Sequence, residues 1–225
     1  MIIEKEEQLQ TIQEALQLGD SLWIPMYSDP FAHYMNNSIS FVYIYCIGTC
    51  EQFIIPFRHK DCYNLNIELL NNLTSPNDIY VLAKKRFMNF SSLKCYDADI
   101  MYWWQNHKML PLDETNTSAH DAWNRWWHNE TNTHDWLPIT KHIERCESMR
   151  RTFIDSYESF NKTKEFEAYE SLVTDNFAAI ERNGLQVDYN KFVEHFKSNG
   201  LKQNKAYSEY NIWTTTGRPS NKFCG

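Results

Sequence analysis

The segment that most restricts the fold is the stretch from Ile39 to Phe57. Two runs rich in β-branched and aromatic residues, ISFVYIYC (39–46) and QFIIPF (52–57), flank a short turn at Gly48-Thr49. Such runs suit a pleated surface, and so short a connection makes them neighbours, so they predict a β-hairpin.

The rest of the first half alternates around this hairpin. Residues 4–18 predict a helix. Leu9, Ile12, Leu16 and Leu18 recur on one face, glutamates 4, 6 and 7 suit its N-terminal end, and Gly19 closes it. LWIPMY (22–27) reads as a strand, with Pro25 ill suited to a central position. Residues 65–73 and 98–107 predict helices, and DIYVL (78–82) and residues 93–96 predict strands. Helices alternating with strands indicate an α/β domain on a mixed sheet. From about Ala119 the pattern is helical, over 119–129, 138–158, 164–183 and 189–198, with a strand over 207–213 near the end.

Composition removes several classes. The chain has 225 residues, 42% hydrophobic and 23% charged, with 7 Pro and 6 Gly, enough for a sizeable core and unlike disordered or collagenous chains. The longest apolar run is about ten residues against the ~20 of a membrane-spanning helix. MIIEKEEQLQ is charged within its first residues and has no secretory apolar core. The expectation is a cytoplasmic protein with no membrane partner, its six cysteines (46, 50, 62, 95, 146 and 224) reduced. The net charge of −7 argues against strong nucleic-acid binding by the chain alone, but leaves room for a local patch.

Two segments of the last third carry a resemblance. AAIERNGLQVD (178–188) resembles the IE-x-NG-hydrophobic-x-(V/I)D element of family A DNA polymerases, the bacterial polymerase I type. TTTGRPSNKF (214–223) resembles the T-x-TGR-(L/P)-S element that enters the palm of the same family. The two elements stand in the family's order. The resemblance implies that Thr216, Gly217, Arg218, Ser220 and Asn221 face primer–template DNA. Gly217 lets the backbone approach, Arg218 reaches a phosphate or minor-groove acceptor, and Ser220 and Asn221 donate to the template strand. It also implies a preceding 3′–5′ exonuclease domain of ribonuclease-H-like type, whose opening the first part of the chain matches by pattern, including IPF-x-H-x-D (55–61).

The family's exonuclease holds two divalent metal ions on four carboxylates, and such ions need hard oxygen ligands a few ångströms apart. The first two belong to a D-x-E on the first strand. Here Ile24 and Met26 occupy those positions. The place of the third, after DIYVL, holds Lys84-Lys85-Arg86, and of the Tyr-x-x-x-Asp motif only Asp121 remains, which also reads as a helix-surface residue. The exonuclease is therefore expected to be degenerate. The polymerase's two palm aspartates and fingers helix lie beyond the TGR element, so no catalytic residue is expected in this chain. No cofactor is expected either, although the complete polymerase would use Mg²⁺. Only a short stretch separates Asp188 from Thr214, so the thumb is expected to be much reduced.

Other constellations are weaker. Cys46, Cys50, His59 and Cys62 can be written as a zinc set, although Cys46 and Cys50 flank a hairpin turn. His120, His128, His134 and His142 run through a stretch with Trp123, Trp126, Trp127 and Trp136, which reads as a helix packed on the core or as a base-stacking platform. Lys84-Lys85-Arg86 reads as a solvated basic turn or as a contact for single-stranded DNA.

The combined expectation is an α/β protein. A ribonuclease-H-like, exonuclease-type mixed sheet with flanking helices spans 1–136. A helical connector, a reduced thumb and the beginning of a palm span 137–225. The chain is expected to be a fragment or subunit of a phage or viral family A DNA polymerase acting in DNA replication in a bacterial or phage-infected cell. Its partners would be primer–template DNA and a second polypeptide carrying palm and fingers. The alternatives are a replisome interaction module that binds nucleic acid, and a metal-dependent 3′–5′ exonuclease drawing on Asp97, Asp99 and Asp121.

Overall fold

A computed structural model describes residues 1–27, 38–108, 110, 138–183, 185–186, 188, 201–202, 205–206, 208–211 and 220–223. The chain divides into two compact units, Met1–Phe166 and Glu167–Gly225. The expected boundary near 136 falls on residues outside those described.

The first unit is an α/β domain on a five-stranded sheet. Its strands are β1 (Ser21–Tyr27), β2 (Ile39–Cys46), β3 (Glu51–Pro56), β4 (Ile79–Val81) and β5 (Tyr96–Asp97), in spatial order β3-β2-β1-β4-β5. β2 runs antiparallel to β1 and β3, whereas β4 runs parallel to β1 and β5 parallel to β4. Only β2 is therefore reversed, which is the ribonuclease-H-like arrangement. The hairpin pairs as its sequence requires, from Phe41 opposite Pro56 to Cys46 opposite Glu51. The N-terminal residues extend the β3 edge, where the Ile3 N–H donates to the Ile54 carbonyl and the Ile54 N–H to that of Met1, each at 2.9 Å.

β1 is central despite Pro25. Within β1, β4 pairs only with Ser21, Leu22 and Trp23, so at Pro25 the ladder on the β4 side has ended and Val42 of β2 is its strand partner. A proline is tolerated where the ladder has already ended on one edge.

Helices cover both faces. α1 (Leu9–Leu16) buries Ile12, Ala15 and Leu16 against a core that includes Trp23, Tyr27, Val42, Ile44, Ile55 and Val81. The helix stops at Leu16, so Leu18 leaves the apolar face expected for it and stands exposed. The helix expected over 65–73 is a 3-10 helix, Ile67–Asn72. α2 (Lys84–Phe87) and α3 (Ala98–Asn106) follow β4 and β5. α4 (Ile139–Tyr157) lies across the opposite face. Its His142 meets Phe41 of β2, its Arg150 guanidinium stacks over the Tyr45 ring at 4.6 Å, and its Phe153 meets Tyr80 of β4.

α5 (Lys164–Asn183) has the bounds read from sequence and ends just before Gly184. The second unit holds most of α5 and two small antiparallel sheets. One joins β6 (Leu185–Gln186), β8 (Lys205–Ala206) and β7 (Leu201–Lys202) in that spatial order. The other pairs β9 (Ser208–Asn211) with β10 (Ser220–Phe223).

Candidate functional site

Four parallel strands end on one edge of the sheet, at Tyr27, Pro56, Val81 and Asp97. In open α/β sheets the carboxyl edge is where ligands bind, because the connecting loops converge there. The two expected carboxylate positions, 24 and 26, lie on β1 close to this edge. Ile24 stands opposite Tyr43 and Met26 opposite Phe41, so these four side chains share one face. Ile24 is 2% exposed and Met26 0% exposed. α4 covers this face with His142, Cys146, Met149 and Phe153, all buried. Burial pushes the phenol of Tyr43 and the thiol of Cys146 well above their ordinary values. A divalent metal pair does not fit such a surface, which offers thioether, alkyl and phenol groups in place of carboxylate oxygens. Among the described residues, no three His, Cys, Asp or Glu side chains gather as a metal site.

The polar groups of the edge come from β4 and β5. Asp97 ends β5 and caps α3, accepting from the Asp99 N–H at 2.9 Å and the Ile100 N–H at 3.2 Å. Asp99, in the first turn, accepts from the Ala83 N–H at 3.0 Å and so ties α3 to the residue before α2. Its carboxyl is enclosed although the residue keeps an exposed edge, and burial pushes it up to about 6, against the lowering effect of the Ala83 bond. Asp97 and Asp99 therefore serve local structure first, as capping residues at a strand-to-helix junction do. Asp121 lies outside the described residues.

The basic triplet is not an open patch. Lys84 is buried, Lys85 and Arg86 are half-buried, and Ala83 before them holds a left-handed conformation (φ 53°). The zinc set is dispersed by the hairpin. Cys46 closes β2 at the far end of the strand from Phe41, whose ring meets His59 at 5.9 Å. Five residues of strand separate the two ends, roughly 17 Å at 3.3–3.4 Å per residue. Cys46 and Cys50 thus sit at the opposite edge from His59 and Cys62.

Of the residues expected to face DNA, Thr216, Gly217 and Arg218 lie outside the described residues. Ser220 and Asn221 open β10, in register with Asn211 and Tyr210 of β9. The tryptophan-rich stretch 123–136 also lies outside the described residues, as do His120, His128 and His134. His142 is a buried core residue of α4, its ring 5.8 Å from that of His59.

Two features escaped sequence reading. The first is the buried group Phe41, His59 and His142, assembled from three distant segments. The second is a polar network at the amino edge of the sheet. Tyr157 donates to Asp20 at 2.6 Å, Asp20 accepts from the Asp78 N–H at 2.9 Å, and Lys162 pairs with Asp78 and lies over the Tyr96 ring at 4.9 Å. The first joins residues 18 to 101 positions apart and the second residues 58 to 137 apart, so neither has a local signal.

No protein-family model matches this chain, and no curated protein does. Among solved structures it is similar to the catalytic core of RRP6 from Trypanosoma brucei, at 11% identity and a TM-score of 0.33. The match covers 85% of this chain and 62% of that one, so this chain spans less than two thirds of that protein's length. A likeness this loose adds nothing to the fold assignment, which stands on strand order and direction.

Proposed function

We propose that this chain is the exonuclease-like front part of a family A DNA polymerase, in which hydrolysis has been lost and the domain positions nucleic acid. The observation that carries the loss of hydrolysis is the burial of Ile24 and Met26, at the two β1 positions where metal-binding carboxylates would stand, beneath the apolar and aromatic face of α4. The polymerase assignment rests on the two sequence elements at 178–188 and 214–223. The end of α5 at Asn183 and the strand at Ser220–Phe223 agree with a helix stop at Asn-Gly and a strand entered through TGRPSN. On this reading the partners are primer–template DNA and a polypeptide supplying palm and fingers, contiguous or separate, and Mg²⁺ belongs to that other part.

Two measurements test the two halves. Incubated with 3′-labelled single-stranded DNA and Mg²⁺ or Mn²⁺, the chain is expected to leave the strand intact. Shortening that disappears in Asp99→Ala or Asp121→Ala would make the domain an active nuclease. The coding DNA after codon 225, and the rest of the same genome, is expected to hold a frame carrying the palm aspartates, whose product extends a primer together with this chain. A genome with no such frame overturns the polymerase half and leaves a stand-alone binding module.

A further inference from the structure

Loop 57–65, at the carboxyl end of β3, presents a side chain that the fold does not use. Tyr63 is 78% exposed, whereas Tyr27, Tyr43 and Tyr80 are buried in the core. A ring left in water contributes little to stability, since the gain from an aromatic side chain comes with its burial. The loop beneath it is nonetheless held at several points. Asn64 accepts from the His59 N–H at 2.7 Å and donates to the His59 carbonyl at 3.0 Å. The Cys62 N–H donates to the same carbonyl at 3.3 Å, and the Leu65 N–H to the Pro56 carbonyl at 2.8 Å. His59 itself is buried against Phe41 and His142. The conformation that holds Tyr63 outward therefore exists before any ligand arrives, which lowers the entropic cost of binding.

The same loop carries charged side chains. Arg58 and Lys60 are exposed on the same loop, and Arg58 donates to Ser38 at 3.3 Å. The loop's acid, Asp61, accepts from the Ile139 N–H at the start of α4, so its charge is set against the positive end of that helix. Glu4 is near enough to help raise the Cys62 thiol, after burial and Asp61. An exposed aromatic ring on a hydrogen-bonded loop that also carries the exposed cations Arg58 and Lys60, at the ligand-binding edge of the sheet, has the makings of a stacking contact for an unpaired base.

We propose that Tyr63 stacks on a base of single-stranded nucleic acid, with Arg58 and Lys60 holding the adjacent phosphates. This rests on the reading above that the chain positions nucleic acid, and it assigns the single strand a place on the exonuclease-like domain. Fluorescence anisotropy of the 225-residue chain with a fluorescein-labelled twelve-residue deoxyadenylate tests it. Tyr63→Ala is expected to weaken binding about tenfold, as loss of one base–aromatic stack does, while Tyr63→Trp retains it. Arg58→Ala is expected to lower the salt dependence, and the melting temperature of Tyr63→Ala should match that of the parent because the ring is already in water. Equal affinity of Tyr63→Ala and the parent overturns the assignment. If Arg218→Ala alone weakens binding, the loop assignment fails and the polymerase reading stands. If the parent does not bind the oligonucleotide, the loop assignment fails, and the search for a frame carrying the palm aspartates decides the polymerase reading separately. A Tyr63-dependent self-association in place of DNA binding makes the loop a protein contact and also overturns it.

Discussion

At the residue scale, single atoms decide whether a turn or a helix start can form. A Cβ added at Gly48 would lie 2.4 Å from the Leu18 carbonyl oxygen, a backbone atom that cannot swing away. Gly48→Ala is expected to cost about 1–3 kcal/mol, the usual range for overpacking, measured as a lower urea midpoint with unchanged slope. Asp97→Ala removes the acceptor of two N–H groups at the start of α3 and is expected to cost about 1–2 kcal/mol in the same measurement. Asp99 behaves differently. Its carboxyl is pushed up to about 6 in the folded chain, above the ordinary 3.8, so the folded state binds more protons between these values. Stability from this group is therefore present below about pH 4 and lost as pH rises through about 6. Asp99→Asn should remove that part of the pH dependence, read from melting temperatures between pH 4 and pH 7.5.

At the element scale, α4 links sequence and site. Its buried stripe His142, Cys146, Met149 and Phe153 recurs at three- and four-residue spacing, so its helical state and bounds were legible from periodicity. Which strand face it covers was not, because periodicity marks an apolar stripe without naming its partner. The same limit explains Leu18. Its spacing fits the α1 face, but the helix ends two residues earlier and carries it outward. Packing on both faces of the sheet also sets thiol reactivity. Cys46, Cys95 and Cys146 are buried, and burial raises Cys46 to about 12 and Cys146 further, while Cys50 is exposed on the hairpin turn. Brief iodoacetamide treatment of the native chain at neutral pH is expected to label Cys50 and spare these three until the chain is unfolded, as peptide mass spectrometry would read.

For the whole molecule, the first unit has a ribonuclease-H-like sheet whose face bearing Ile24 and Met26 is solid core. Placing carboxylates at positions 24 and 26 is therefore not expected to create hydrolysis. Ile24→Asp with Met26→Glu would place two like charges beneath α4 with no metal and no cation assigned to them, at a cost of several kcal/mol. The expected result is an unfolded or molten chain by near-ultraviolet circular dichroism. A folded, Mg²⁺-dependent nuclease from this variant would mean that α4 can lift from the sheet.

Some properties belonged to the sequence by itself. The hairpin, β1, the two long helices and the absence of carboxylates at 24 and 26 could be read directly, because each depends on residues near in the chain or on residue identity alone. The strand order β3-β2-β1-β4-β5, the tolerance of Pro25 beside a β4 only three residues long, the burial of Ile24 and Met26 and the outward stance of Tyr63 were settled by the tertiary structure. The reason is the same in each case. These depend on which distant segments meet, and the free energy of burying one apolar face against another records area and shape, which local spacing does not carry.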